Sequence, residues 1–177
     1  MQGYLNYDCQ KKKIKILVLG VGNDLLTDEG VGVHVVRELI KEPLPANVTV
    51  YNGGVSGIDL LDLIQNHNKA LIIDAIDAGA QPGAVFRFQP AEIECLLGEH
   101  KTSLHQVDLF DTIKIARFTG KCPQIVIIGI QPFQITWGLS LTPEMLEKLP
   151  GILALVKDEI EAMSLLPAEE GSEGSGY

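Results

Sequence analysis

The chain has 177 residues with 14 basic and 23 acidic side chains, a formal net charge of −9, and 46% of its residues are hydrophobic. With a mean hydropathy of +0.17 and a pI near 4.8, it can bury a full core and is not a disordered chain. Its acidity excludes a nucleic-acid binder, which needs clustered Lys and Arg to displace counterions. The longest strongly apolar stretches, such as 125–130, fall far short of the ~20 residues that span a bilayer, so no membrane association is predicted.

Lys11, Lys12, Lys13 and Lys15 precede an apolar run, but Lys15 interrupts it and no small-residue cleavage site follows, so the segment is not a secretory signal. Cys9, Cys95 and Cys122 are widely spaced and form no CxxC pair. That usage argues against a disulfide framework and predicts a reducing cytoplasm. Residues 1–12 read as a flexible extension, 13–166 as a single domain acting as a monomer, and 167–177, rich in Glu, Gly and Ser, as a flexible tail.

Residues 14–19 form a short run of Ile, Leu and Val ending at Gly20, the pattern of a strand buried on both faces. Similar runs follow at 48–51, 70–73, 84–88 and 124–130, and helical patterns lie between them. In 31–40, Val31, Val35 and Leu39, with Val36 and Ile40, keep 4-residue spacings; 57–66 and 106–118 are amphipathic in the same way. The last helix is predicted to start at Thr142 as N-cap with Pro143 at its first position. Its stripe is Leu146, Leu149, Leu153, Val156, Ile160 and Met163, and Pro150 with Gly151 predicts a kink or two abutting helices. The alternation defines a three-layer α/β/α sandwich with a mainly parallel five-stranded sheet. The link 77–83 is too short for a helical crossover, so strand 84–88 is predicted to be antiparallel.

Ligands of such sheets bind beyond the carboxyl ends of the parallel strands. The first strand empties into a glycine-rich loop, but Leu25 stands where the third glycine of GxGxxG belongs, and Asp24, Asp28 and Glu29 would repel a pyrophosphate. Taken alone, Asp28 and Glu29 read as helix-capping carboxylates worth roughly 0.5–1 kcal/mol each. Asp74 ends a wholly apolar strand, where a carboxylate is costly unless paired or metal-bound. Asp77 before Gly79 reads as a turn residue, and His34, His67 and His100 as surface or capping residues. His105 begins the helix leading into the last strand, so topology places Glu29, Asp74 and His105 on one rim. Two carboxylates and an imidazole make an open three-ligand metal site, although residues can share a rim without touching. With Asp24 and Asp28, these carboxylates predict an acidic cleft suited to a cation-bearing substrate.

The segment LGVGNDLLTDEGVG at 19–32 is similar to the GxGNxLxxDEGxG motif of the [NiFe]-hydrogenase maturation endopeptidases, cytoplasmic enzymes that trim the C-terminal tail of the hydrogenase large subunit after nickel insertion. Asp74-Ala75-Ile76-Asp77 with Pro82-Gly83, Ser103-Leu104-His105-Gln106, and Gly129-Ile130-Gln131-Pro132 before Leu141-Thr142-Pro143 match further motifs in the same order. The resemblance implies that Glu29, Asp74 and His105 are the nickel-contacting residues. Asp28, Gly53 and Gly54 are assigned to substrate binding, the glycines because they permit close approach of an extended peptide. Where the family commonly has DGGTxG, this chain has Asn52 and Val55, which removes a charge and a hydroxyl.

The activity implied is removal of the C-terminal tail from the nickel-loaded large-subunit precursor, the protein's partner, with nickel carried by the substrate and bound weakly or not at all by the free enzyme. Nickel would polarise the scissile carbonyl or supply a bound hydroxide, with Glu29 or Asp74 open to a role as general base. Cys95, Cys122 and Ser103 are not persuasive nucleophiles. Two other readings compete: a non-catalytic nickel checkpoint or chaperone binding the loaded subunit, and a metallohydrolase with a resident metal.

Overall fold

A computed structural model of the chain describes residues 13–92 and 104–165. Strands β1 (Ile16–Val21), β2 (Val48–Gly54), β3 (Lys69–Ala75), β4 (Val85–Phe88) and β5 (Gln124–Ile130) form one sheet in the order β2-β1-β3-β5-β4. β1, β2, β3 and β5 are parallel. β1 and β3 are buried along their whole length, as continuous Ile/Leu/Val runs require when helices cover both faces.

Helices α1 (Val31–Leu39) and α4 (Pro143–Leu165) cover one face, and α2 (Leu61–Gln65) and α3 (Leu104–Phe118) the other. The period-2 alternation of the strands feeds two separate cores. Ile16, Val18, Leu71 and Ile73 pack with Val35, Leu39, Val156 and Ile160 on the first face. Leu17, Leu19, Ala70 and Ile72 pack with Leu60, Leu109 and Ile113 on the second. Each fully buried Leu, Ile or Val contributes about 1.5–3 kcal/mol. At the lower edge the buried Lys69 donates from Nζ to the Met163 carbonyl, 2.7 Å away, tying the last turn of α4 to the start of β3.

Several expectations change in detail. β4 is antiparallel but pairs with β5, not with the β3 strand that precedes it, because β5 inserts between the two. The segment 57–66 divides into a 3-10 turn (Ile58–Leu60) and the single-turn α2. Ile40 falls at the end of α1 and is exposed. No break into two helices occurs at Pro150: α4 is one helix with Pro150 inside it. Its buried residues are Met145, Ile152, Val156, Ile160 and Met163, while Leu146 turns outward and Leu149 and Leu153 flank the core. Thr142 does cap it, its Oγ1 accepting from the Met145 N–H at 3.3 Å. The proposed flexible ends, 1–12 and 167–177, lie outside the described residues.

Candidate active site

The chain leaves β1 through α1 to reach β2 on one side, and β3 lies on the other, so the ends of β1 and β3 flank a topological switch point. Two glycines allow the loop between β1 and α1 to fold tightly there. Gly22 has φ +130°, and a Cβ on it would lie 2.0 Å from the Glu29 carbonyl oxygen. A Cβ on Gly32 would lie 2.2 Å from the Ile73 carbonyl oxygen and 2.4 Å from that of Val21, so the start of α1 sits directly on the two strand ends. The 3-10 turn Thr27–Gly30, which carries Glu29, packs against β3.

Asp74 follows Ile73 on β3. Leu71, Ile73 and Ala75 face α1 and α4, whereas Ala70 and Ile72 face α2 and α3; the alternation therefore aims Asp74 toward the α3 face. α3 reverses through 119–123 into β5, so its first turn, which includes His105, stands at the carboxyl edge of that same face. Glu29 is 7% and Asp74 3% exposed, so both carboxylates have lost most of their water. The His105 side chain lies outside the described residues. Among the described residues, no three His, Cys, Asp or Glu side chains form a group that could hold a metal ion.

Asp28 behaves differently from what its motif position predicted. It is 0% exposed and makes no side-chain cap to either adjoining helix. Its Oδ2 accepts from the N–H groups of Phe133 (2.9 Å) and Gln134 (3.2 Å), and its Oδ1 from the Thr142 N–H (2.8 Å). The Thr142 hydroxyl donates to the same carboxylate. Asp28 is therefore an internal anchor with no surface to offer a substrate. Beside it, Thr27 is held at φ +40°, a region β-branched residues avoid. Its hydroxyl donates to the Gln134 carbonyl (2.8 Å) and accepts from the Thr136 N–H (3.1 Å). Together these bonds clasp the segment after β5 to the loop after β1. The local sequence identifies Thr142 as a helix cap, and nothing near it announces a partner 114 positions away.

Gly53 and Gly54 also separate. Gly53 is buried, and a Cβ there would meet Leu19 at 2.9 Å and Val21 at 3.1 Å, so its smallness serves packing within the sheet and not contact with a peptide. Gly54, at φ +53°, has open space where a Cβ would point, and its carbonyl accepts from the Gly22 N–H at 2.9 Å, joining β2 to the first loop. The Asn52 Oδ1 accepts from the Gly54 N–H at 3.1 Å, a bond an aspartate would make equally well. The loop shape thus survives the loss of the charge. Beyond it, a groove of about 570 Å³ opens between the 55–59 segment and α3, lined by Val55, Ile58, Asp59, Asp111, Thr112 and Ile115.

The acidic cleft is smaller than the sequence suggests. Asp24 is paired with Arg37, and Asp28 is enclosed, which leaves Glu29 and Asp74 as the carboxylates of the rim. Cys122 precedes β5 and so lies at the opposite, amino edge of the sheet; burial pushes its thiol pKa up, which keeps it protonated and removes it as a nucleophile. Cys95 and Ser103 lie outside the described residues. His67 caps its helix, with Nδ1 2.7 Å from the Leu63 carbonyl oxygen, and Asp77 is a turn residue that accepts from the Gly79 N–H and from Gln131 Nε2.

This doubly covered mixed sheet is shared with solved endopeptidases. The chain superposes on the hydrogenase maturating endopeptidase HybD from Escherichia coli with a TM-score of 0.79 at 34% identity, over 85% of this chain and 94% of that one. It superposes on the [NiFe] hydrogenase maturation protease HybD from Thermococcus kodakarensis with a TM-score of 0.69 at 25% identity, over 82% and 99%. In sequence it is 34% identical to the hydrogenase 2 maturation protease of Escherichia coli over 163 residues, 90% of this chain and 94% of that protein. It is 38% identical to the hydrogenase expression/formation protein HupD of Bradyrhizobium diazoefficiens over 138 residues, 76% and 72% respectively. The sequence profile of the HycI hydrogenase maturation proteases matches residues 33–159, and the chain belongs to that family. No helix among the described residues is long and apolar enough to cross a membrane.

Proposed function

We propose that this protease removes the C-terminal tail of the nickel-loaded precursor of a [NiFe]-hydrogenase large subunit, and that the nickel in that substrate is its recognition signal. The observation that carries the reading is the pair of nearly desolvated carboxylates, Glu29 and Asp74, at the carboxyl rim of β1 and β3, with the first turn of α3 and His105 on the Asp74 face. Carboxylates with little water around them at the rim of a sheet are oxygen ligands suited to a divalent cation brought in by a substrate. Nickel held by substrate thiolates completes its coordination with Glu29, Asp74 and His105. It then polarises the scissile carbonyl or lowers the pKa of a bound water from 15.7 toward ~7. In the latter case one of the two carboxylates serves as general base instead of as a ligand. The tail crosses Gly54 and enters the groove between the 55–59 segment and α3. We place the chain in the cytoplasm as a monomer, where the thiol of Cys122 stays reduced.

The test is the intact mass of the precursor after incubation with the protein, with and without nickel. Release of a C-terminal fragment in the nickel-loaded sample alone is the expected result. An unchanged mass in both samples overturns the peptidase reading, and equal cleavage in both overturns nickel recognition.

A further inference from the structure

We propose that the segment 133–141 is a docking platform for the folded body of the large-subunit precursor, with Trp137 and Leu139 as its anchors; this rests on the processing role proposed above. Trp137 is 80% exposed and Leu139 76%, and Ile135 and Leu25 beside them are about half exposed. Large exposed apolar side chains gathered on two segments that are hydrogen-bonded to each other mark a protein interaction site, and tryptophan is among the residues that most often anchor one.

The main chain of the segment is framed by hydrogen bonds to the first loop. The Thr27 N–H donates to the Gly138 carbonyl (3.2 Å) and the Gly138 N–H to the Leu25 carbonyl (3.0 Å), a parallel bridge that holds residue 138 against the first loop. The Thr27 hydroxyl and the Asp28 carboxylate fasten residues 133–136. The same loop continues into Glu29 with no residue between it and Asp28.

That continuity identifies the occupant. A protein whose scissile bond is brought to Glu29 and Asp74 lies against the first loop and therefore against the segment pinned to it, and a tail that fills only the rim would leave the platform uncovered. Residues 131–143 carry no charged side chain in a chain of net charge −9. A partner can thus be seated there without desolvating carboxylates, as the charge-poor centres of protein interfaces require.

Trp137 is the only tryptophan, so a fluorine-labelled tryptophan gives one resonance that reports this position alone. Adding nickel-loaded precursor should shift or broaden that resonance. Cleavage kinetics of the Trp137→Ala/Leu139→Ala variant should show KM raised about tenfold or more, with kcat within about twofold and the thermal transition unchanged. Phe118→Ala, at the opposite edge of the sheet and 93% exposed, should alter neither constant. An unchanged KM, or a loss confined to kcat, overturns the platform. A resonance that moves with the protein's own concentration, together with self-association in sedimentation that Trp137→Ala abolishes, assigns the surface to a second copy and also overturns it. If the wild type binds the precursor without cutting it, the processing role falls while the Kd ratio of wild type to variant still decides the platform.

Discussion

The hydroxyl of Thr142 donates a hydrogen bond to the carboxylate of Asp28, 114 positions earlier in the chain, and at the same time accepts one from the Met145 N–H at the start of α4. One side chain thus caps the last helix and fastens it to the loop that carries Glu29. The active-site loop is braced from behind by an internal carboxylate with two backbone N–H groups on one oxygen and the Thr142 N–H on the other.

Asp28→Asn should therefore destabilise the protein although it is nearly isosteric. An amide has one accepting oxygen, and its NH2 would face N–H donors. The expected loss is about 2–4 kcal/mol, and Thr142→Val should lose about 1–2 kcal/mol. Urea unfolding of both single variants and the double should show a coupling of about 1 kcal/mol or more, because the two changes remove the same bond.

Glu29→Gln and Asp74→Asn should act on the chemistry. Each keeps the side chain's volume and removes an ionisable carboxyl at the rim, so cleavage of the nickel-loaded precursor falls by about 10²–10⁴-fold. Mass spectrometry over a time course measures it, and a variant at full rate takes its residue out of the site.

Two glycines in the helices of one face, Gly32 in α1 and Gly151 in α4, should respond in opposite ways to alanine. At Gly32 a methyl group would press into the carbonyl oxygens of Ile73 and Val21, lifting α1 off the strand ends. The cost is about 1–3 kcal/mol or more, a fall in Tm of several degrees, with loss of cleavage as Glu29 moves. At Gly151, exposed inside α4 with nothing within 4 Å of the added Cβ, alanine should raise stability by about 0.5–1 kcal/mol through the unfolded chain's lost freedom. Calorimetry of the two variants reads both signs.

His34 supplies a pH dependence. Its pKa is lowered below 6.5, first by burial and then by Arg37, and its buried Nε2 finds no hydrogen-bond partner among the described residues. The unfolded chain binds this proton more readily than the folded one, so stability is fully present above pH 6.5 and declines as pH falls from there toward the folded pKa. Urea midpoints at about pH 7.5 and about pH 5 should differ less in His34→Gln than in the wild type.

Much of the fold follows from short-range pattern. The apolar run 124–130 is β5 residue for residue, Thr142 and Pro143 open α4 where the cap rule puts them, and the 77–83 link dictates an antiparallel β4. These features depend on neighbours within a turn or a pleat, where side-chain periodicity, φ limits and cap hydrogen bonds act directly. The rim that unites the Glu29 loop, the end of β3 and the first turn of α3 was also legible, because parallel strands alternating with helices bring their carboxyl ends to one edge.

The roles of individual residues around that rim were decided by packing across the molecule. Asp28 looks like a surface acid beside Glu29, yet it closes on Thr142 and the Phe133 amide; Gly53 fills the space between Leu19 and Val21, while Gly54 beside it stands open; and Trp137 stays in water because the first loop pins its backbone. The order of charges and glycines along the chain determined which groups reach the site edge. Which of them face inward was settled by contacts between segments about a hundred residues apart, whose hydrogen bonds exist only once both cores are packed.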